Sequence, residues 1–334
     1  MASGARRATV RSLGEEAEDL GRMAEDVRAG LFNIPKDLSP WPKYFYDARG
    51  SELFEDITEQ PEYYQTRTEL SILEQKAPEI ARRTRCRELV ELGSGSASKT
   101  RALLDAIMET GEGPKRYVPF DVSESAVTGS AERLLEEYPE LEIQGYVGDF
   151  DNSLERLLGT APGGPSMLVI FLGGTLGNFT PERRREFLGR LRNGLGERDH
   201  LLIGVDLVKD PSVIEAAYDD AAGVTAAFNK NLLRVLNRKL GGEFDPDLFA
   251  HRATYNHEHS RLEMWLDSEV AQNVPVAALE TEIPFEEGEG MRTEISTKFT
   301  LESVDRAFGE SGLRMLDLYT DDQELFGLAL GKTA

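Results

Sequence analysis

Arg87-Glu88-Leu89-Val90-Glu91-Leu92-Gly93-Ser94-Gly95-Ser96-Ala97-Ser98 carries a strand-length segment straight into a glycine turn. Lys99–Met108 then reads as a helix, so the local order is strand, turn, helix. Outward from this unit the order repeats. Leu70–Arg85 precedes it with helical periodicity, and residues 111–114 (Gly-Glu-Gly-Pro) break the following helix before a second strand, Arg116–Phe120, that stops at Asp121. Ser123–Glu137 and Ile143–Val147 supply the next helix and strand, left through Gly148-Asp149-Phe150. Ser166–Leu172 is almost wholly apolar, as suits a strand covered on both faces, and Gly173-Gly174 ends it. Thr180-Pro181 has the chemistry of an N-cap and first helical residue for a helix to Leu195, and Leu201–Val205 is a fifth strand ending at Asp206. Five such repeats predict an α/β fold with an open, doubly wound sheet. At the chain end, Thr300–Gly312 reads as a capped helix and Leu313–Tyr319 and Leu325–Gly331 as two closing strands.

The pattern changes between Leu207 and Lys298 to long helices, Ser212–Asp220 and Val224–Leu240, followed by alternating segments at Arg252–Tyr255, Arg261–Leu266 and Met291–Phe299. The expected division is therefore a core of residues 64–206 plus 299–334, and a discontinuous α+β substrate-binding domain of residues 1–63 plus 207–298. Near the N-terminus, Arg6-Arg7 is followed by acids rather than by an apolar stretch, so the segment reads as a frayed arm; Glu18–Leu31 continues as a helix that Pro35 ends.

Composition narrows the function. Lys and Arg number 38 against 60 Asp and Glu, a formal charge of −22 over 334 residues, which repels nucleic acid. The same charge favours a monomer. One cysteine, Cys86, excludes an intrachain disulfide and a multi-cysteine zinc site and points to a reducing, cytoplasmic setting. No apolar run approaches the ~20 residues of a membrane span. His257-Glu258-His259 lacks metalloprotease spacing and reads as a solvated turn, so no metal is expected.

The glycine turn Glu91-Leu-Gly93-Ser-Gly95 lets a backbone approach a ligand at a helix N-terminus, but it is equally common as plain structure. Ser98 stands where a dinucleotide fingerprint has its third glycine, and no Gly-Lys-Ser/Thr phosphate loop is present. Two carboxylates add weight. Asp121, ending the second strand, is placed to take ribose hydroxyls; Asp149, ending the third, is placed to accept from an adenine amino group that Phe150 would cover. Read alone, both also suit ordinary loop-leading aspartates. Together, and without a phosphate cradle, these features resemble the S-adenosylmethionine (SAM) site of class I methyltransferases, with Ala97 a small departure from a third glycine found in many of them.

The flanks sharpen the resemblance. Lys43-Tyr-Phe-Tyr46-Asp, Pro61-Glu-Tyr63-Tyr-Gln-Thr-Arg67-Thr-Glu69, Val90 through Arg101, Thr175-Leu-Gly-Asn178-Phe-Thr-Pro, Ala217-Tyr218 through Asn229 and Thr293-Glu294-Ile-Ser296-Thr-Lys298-Phe are similar to the histidine-specific methyltransferases of bacterial ergothioneine biosynthesis. The similarity runs from about residue 25 to the C-terminus, with Gly174 departing from an expected serine. It implies trimethylation of the α-amino group of free L-histidine to hercynine, with SAM as the donor. It further implies that Glu294 and Ser296 hold the imidazole. Spacing alone puts these two on one face of a strand, a pattern that also fits a solvent-facing alternation. By the same resemblance Tyr63, Asn178 and Tyr218 bind the substrate's carboxylate and amine, Tyr46 and Phe54 flank the donor, and Tyr46 also orients the amine. Gly93, Lys99, Asp121, Asp149, Phe150 and Gly173 are carried over as the donor site, and Met264-Trp265 as a candidate lining of the imidazole pocket, with core packing the alternative. Two other functions share these motifs: methylation of another amine, such as a tryptophan derivative, and SAM binding without catalysis.

Overall fold

A computed structural model describes residues 8–13, 16–111, 116–158 and 166–334. Arg6-Arg7, Glu15 and the expected helix break at 112–114 lie outside them. The strands are β1 (Ala8–Ser12), β2 (Lys36–Asp37), β3 (Glu88–Leu92), β4 (Arg116–Asp121), β5 (Glu142–Val147), β6 (Met167–Phe171), β7 (His200–Asp206), β8 (Phe249–Asn256), β9 (Arg261–Ser268), β10 (Gln272–Val276), β11 (Thr281–Phe285), β12 (Gly290–Thr297), β13 (Leu313–Thr320) and β14 (Phe326–Thr333). The helices are α1 (Glu16–Leu31), α2 (Ala48–Thr58), α3 (Tyr64–Thr84), α4 (Thr100–Glu109), α5 (Glu124–Glu137), α6 (Phe150–Leu158), α7 (Pro181–Gly194), α8 (Pro211–Tyr218), α9 (Val224–Leu240) and α10 (Leu301–Glu310).

Eight strands form one sheet in the order β1-β5-β4-β3-β6-β7-β14-β13. The strands from β1 to β7 pair in parallel, and β14 and β13 close the far edge antiparallel. Every residue of β3 and β6 is buried because helices cover both faces. Alternation divides their side chains between two cores: Val90, Val118 and Val169 pack with Leu188 and Phe308 on one face, while Leu89, Tyr117 and Leu168 pack with Ile72, Leu103 and Leu134 on the other. Helix starts obey local chemistry. Ser123 and Thr180 accept from the amides three residues on, and Thr300 and Ser303 cap α10 reciprocally.

The remaining strands form the sheet β2-β12-β9-β8 and the hairpin β10-β11. Val27, Phe45, Phe228, Leu236, Phe249, Leu266 and Met291 gather there into a third core with α1, α2, α8 and α9.

Three local readings differ from expectation. Ala8–Ser12, read as a frayed arm of the substrate domain, pairs in parallel with β5 as the edge of the large sheet, satisfying backbone groups that β5 would otherwise leave open. Helix α3 begins at Tyr64 rather than Leu70, because its first turns bury the polar Gln65 and Glu69 and so show no apolar period. The hairpin β10-β11 went unread because Pro275 and Pro284 interrupt its strands, prolines that an edge pair tolerates.

Candidate active site

A cavity of about 830 Å³ opens where the C-terminal ends of the parallel strands face the third core. This is where open α/β sheets bind ligands. Tyr46, Phe54, Tyr63, Gly93, Lys99, Asp121, Asp149, Phe150, Gly173, Asn178, Tyr218, Met264, Glu294 and Ser296, drawn from widely separated segments, all line it.

At the sheet end, Gly93 and Gly95 have φ of +70° and +47°, a region that glycine enters without strain. A side chain at Gly95 would meet nothing within 4 Å, so the turn leaves open space for a ligand against its backbone. Glu91, also on the cavity wall, accepts from Thr100 Oγ1 at 2.6 Å and from the Tyr117 hydroxyl, and so braces the turn. Asp121 accepts from the Gly95 amide through Oδ2 and the Ser123 amide through Oδ1, both at 2.9 Å. Each oxygen keeps a lone pair for a ligand hydroxyl. Asp149 meets Lys43 Nζ at 3.0 Å, and the Phe150 ring lies 5.4 Å from that of Phe171. Lys99 is ion-paired with the fully buried Glu69, whose two oxygens also accept from the Gly173 amide at 2.9 Å. Gly174, the departure from the family pattern, has φ +71° and precedes the 3-10 turn Thr175–Asn178.

At the other end an aromatic chain runs Tyr46–Phe54–Tyr63–Tyr218 with ring centroids 5.7, 6.3 and 6.4 Å apart. Burial raises the hydroxyl pKa of Tyr46 and Tyr63 well above the usual value, so both stay neutral donors. Glu294 and Ser296 point from one face of β12 into the cavity, as alternation requires. Burial pushes the Glu294 carboxyl up to about 7, opposed by the charge of Lys298, and no hydrogen bond to it forms among the described residues. Ser296 Oγ accepts from the Tyr218 hydroxyl at 2.9 Å.

Met264 lines this pocket but Trp265 does not. Successive residues of β9 face opposite ways, and the indole is instead sandwiched by Arg252 and Arg292, 5.0 and 5.6 Å from its ring. His257 and His259 sit in the exposed turn between β8 and β9.

Below Ser296 lies a cluster that sequence reasoning missed. Lys298, fully buried, meets Asp206 Oδ2 at 2.8 Å; Lys209 meets Asp206 Oδ1 at 2.5 Å; and the Tyr64 hydroxyl reaches both oxygens at 2.9 Å. Burial alone would raise the Asp206 pKa, but the two ammonium groups overcome it and hold the carboxyl below its ordinary range. The signals were present: Lys298 continues the alternation of Glu294 and Ser296, and Asp206 ends the fifth strand as Asp121 ends the second.

A family model described as "Histidine-specific methyltransferase, SAM-dependent" matches residues 23–333. This chain belongs to that family. The chain is 49 % identical to the histidine N-alpha-methyltransferase of Mycolicibacterium smegmatis over 92 % of its own length and 94 % of that protein's. It is 45 % identical to the histidine N-alpha-methyltransferase of Mycobacterium tuberculosis over 95 % and 97 %. It shares 27 % identity with a 4-dimethylallyltryptophan N-methyltransferase of Arthroderma benhamiae over 87 % of both chains. The open, mostly parallel α/β sheet expected from the sequence is present, and SAM is the protein's cofactor. The open glycine turn with two carboxylates beyond it, and no phosphate cradle, fits a nucleoside sulfonium.

Proposed function

We propose that the protein trimethylates the α-amino group of L-histidine, giving hercynine, and that the cavity residues divide that work between two ends. The observation that carries the reading is Glu294: a buried carboxylate with no hydrogen bond among the described residues, facing the same cavity as the SAM motif. Burying such a group is costly unless a ligand completes it, and an imidazole N–H does so.

SAM supplies an electrophilic methyl on a sulfonium. On this reading Gly93 and Asp121 receive its ribose, Asp149 and Phe150 its adenine, and Lys99 with Gly173 its amino-acid end. Glu294 and Ser296 hold the ring of histidine, against Met264. Tyr63 and Asn178 donate to its carboxylate, for which neutral donors suffice away from water, and Tyr218, whose proton goes to Ser296, offers its remaining lone pair to the amine. Held at both ends, the substrate presents its amine in line with the bond to be broken. An α-amine has a reference pKa of about 8, so a fraction is neutral at pH 7 and desolvation enlarges it. No strong base is then needed. Tyr46, kept protonated, orients the amine, and its ring with that of Phe54 favours the growing cationic product by about 1–2 kcal/mol.

The donor unit on this reading is residues 64–206 plus 299–334, supported by the two cores of the large sheet; residues 207–298 with most of 1–63 form the substrate unit, supported by the third core. A cytoplasmic, monomeric protein belongs to the same reading, supported by a single buried cysteine and the charge of −22. Among the described residues no helix is long and apolar enough to cross a membrane.

The test is mass spectrometry of the purified protein with SAM and each common amino acid. Histidine alone gaining three methyls is the expected result. Methylation of tryptophan or another amine would overturn the role of Glu294 and Ser296, and SAM binding with no product would favour a non-catalytic protein.

A further inference from the structure

We propose that the buried Lys298 is a positioning residue that makes the Ser296 hydroxyl a donor toward the substrate ring, so that Ser296 and Glu294 together read one neutral tautomer of imidazole. The proposal rests on the reading that those two residues hold the ring.

The argument is a count of protons and lone pairs. An ammonium has three protons and no lone pair. Lys298 is fully buried, and three acceptors surround its Nζ: Asp206 Oδ2 at 2.8 Å, Ser296 Oγ at 2.8 Å and the Tyr218 hydroxyl at 3.2 Å. All three protons are therefore committed. The Tyr218 hydroxyl, accepting from Lys298, passes its own proton to Ser296 Oγ at 2.9 Å. Ser296 Oγ thus accepts twice, which uses both of its lone pairs and leaves its proton for the cavity that the residue lines. Asp206 anchors the arrangement, since Lys209 and Tyr64 hold it from the other side.

Two residues earlier on the same strand face, Glu294 in its ionised form offers only acceptors. The pair therefore presents one acceptor and one donor. Neutral imidazole carries one N–H and one bare nitrogen and matches both. Imidazolium carries two N–H groups, so one would meet the Ser296 proton and stay unpaired in a buried site, beside a second positive charge on Lys298.

The experiment measures histidine KM, kcat and SAM affinity for Ser296→Ala, Lys298→Met and the double variant. Each single change is expected to raise KM about tenfold, the value of one hydrogen bond, with kcat and SAM affinity little changed. Because Lys298 acts through Ser296, the double variant should be no worse than Ser296→Ala. Multiplied losses of about a hundredfold would overturn the proposal, since independent contributions add in free energy. An unchanged KM in Ser296→Ala would instead overturn the underlying assignment of the ring pocket.

Should Lys298→Met fail to fold, the wild-type protein decides. 3-(4-Thiazolyl)alanine and 3-(5-thiazolyl)alanine each carry one acceptor nitrogen, at one or the other imidazole position, and thienylalanine carries none. One thiazolyl compound binding about tenfold tighter than its thienyl counterpart is the expected result for a donor in the pocket. Equal affinities throughout would overturn it.

Discussion

Glu294 combines burial, the absence of a hydrogen bond among the described residues and a pKa of about 7, and each has a consequence that can be measured. Glu294→Ala is expected to raise histidine KM by about 10- to 100-fold, the range for a hydrogen bond to a charged group, while SAM affinity stays within about twofold. Isothermal titration with each ligand separates the two. The raised pKa also fixes a sign for stability in the absence of ligand. Between the ordinary 4.5 and about 7 the folded state binds more protons at Glu294 than the unfolded chain does. Its contribution is therefore full below 4.5 and lost as pH rises through 7. Glu294→Gln removes that loss, so its stability relative to wild type should climb between pH 5 and 8, by up to about 3 kcal/mol in urea titrations at 25 °C. A flat difference would mean that the carboxyl is not desolvated in the ligand-free protein. Tyr46→Phe keeps the ring and removes the hydroxyl that orients the amine, so the proportions of mono-, di- and trimethylated product should shift in a time course. Phe150 and Met264 were legible as apolar residues beside motifs. Their facing was not, and neighbouring Trp265 shows why: one step along a strand reverses the face.

Among the elements, β7 and α3 meet at the donor end of the cavity through a glycine. A Cβ at Gly204 would stand 2.1 Å from Glu69 Oε1 and 3.1 Å from the Phe326 ring. Glu69 is the side chain that holds both the Gly173 amide and Lys99. Gly204→Ala is therefore expected to displace that carboxylate, weaken SAM binding about tenfold and cost about 1–3 kcal/mol of stability, as overpacking does. Fluorescence titration with SAM and a denaturation curve check the two effects; loss of stability alone would show that Glu69 does not organise the donor site. Element existence was readable wherever a period persisted, as in β6 and α9, or where caps were explicit, as at Thr180 and Thr300. It failed where a buried helix face is polar, as at the start of α3, and where a strand is only two residues long, as in β2.

At the scale of the whole molecule, a charge of −22 imposes self-repulsion on the folded chain. Raising the salt from low concentration to about 0.3 M screens it beyond roughly one Debye length, and the melting temperature should rise by a few degrees. A fall would mean that the ion pairs, such as Lys43–Asp149 and Lys298–Asp206, outweigh the repulsion. The order of the β-α units, the glycine turn at Gly93 and the acids that end its neighbouring strands were all determined by sequence alone, because periodicity and turn chemistry act over a few residues. The quoted blocks likewise carried the family. Only the tertiary structure decided that Tyr218 and Ser296, 78 residues apart, share a hydrogen bond, that Lys298 lies beneath them on Asp206, and that Glu294 is left for a ligand. Those outcomes depend on how two cores pack along one cavity, and distances across such an interface leave no local pattern in the chain.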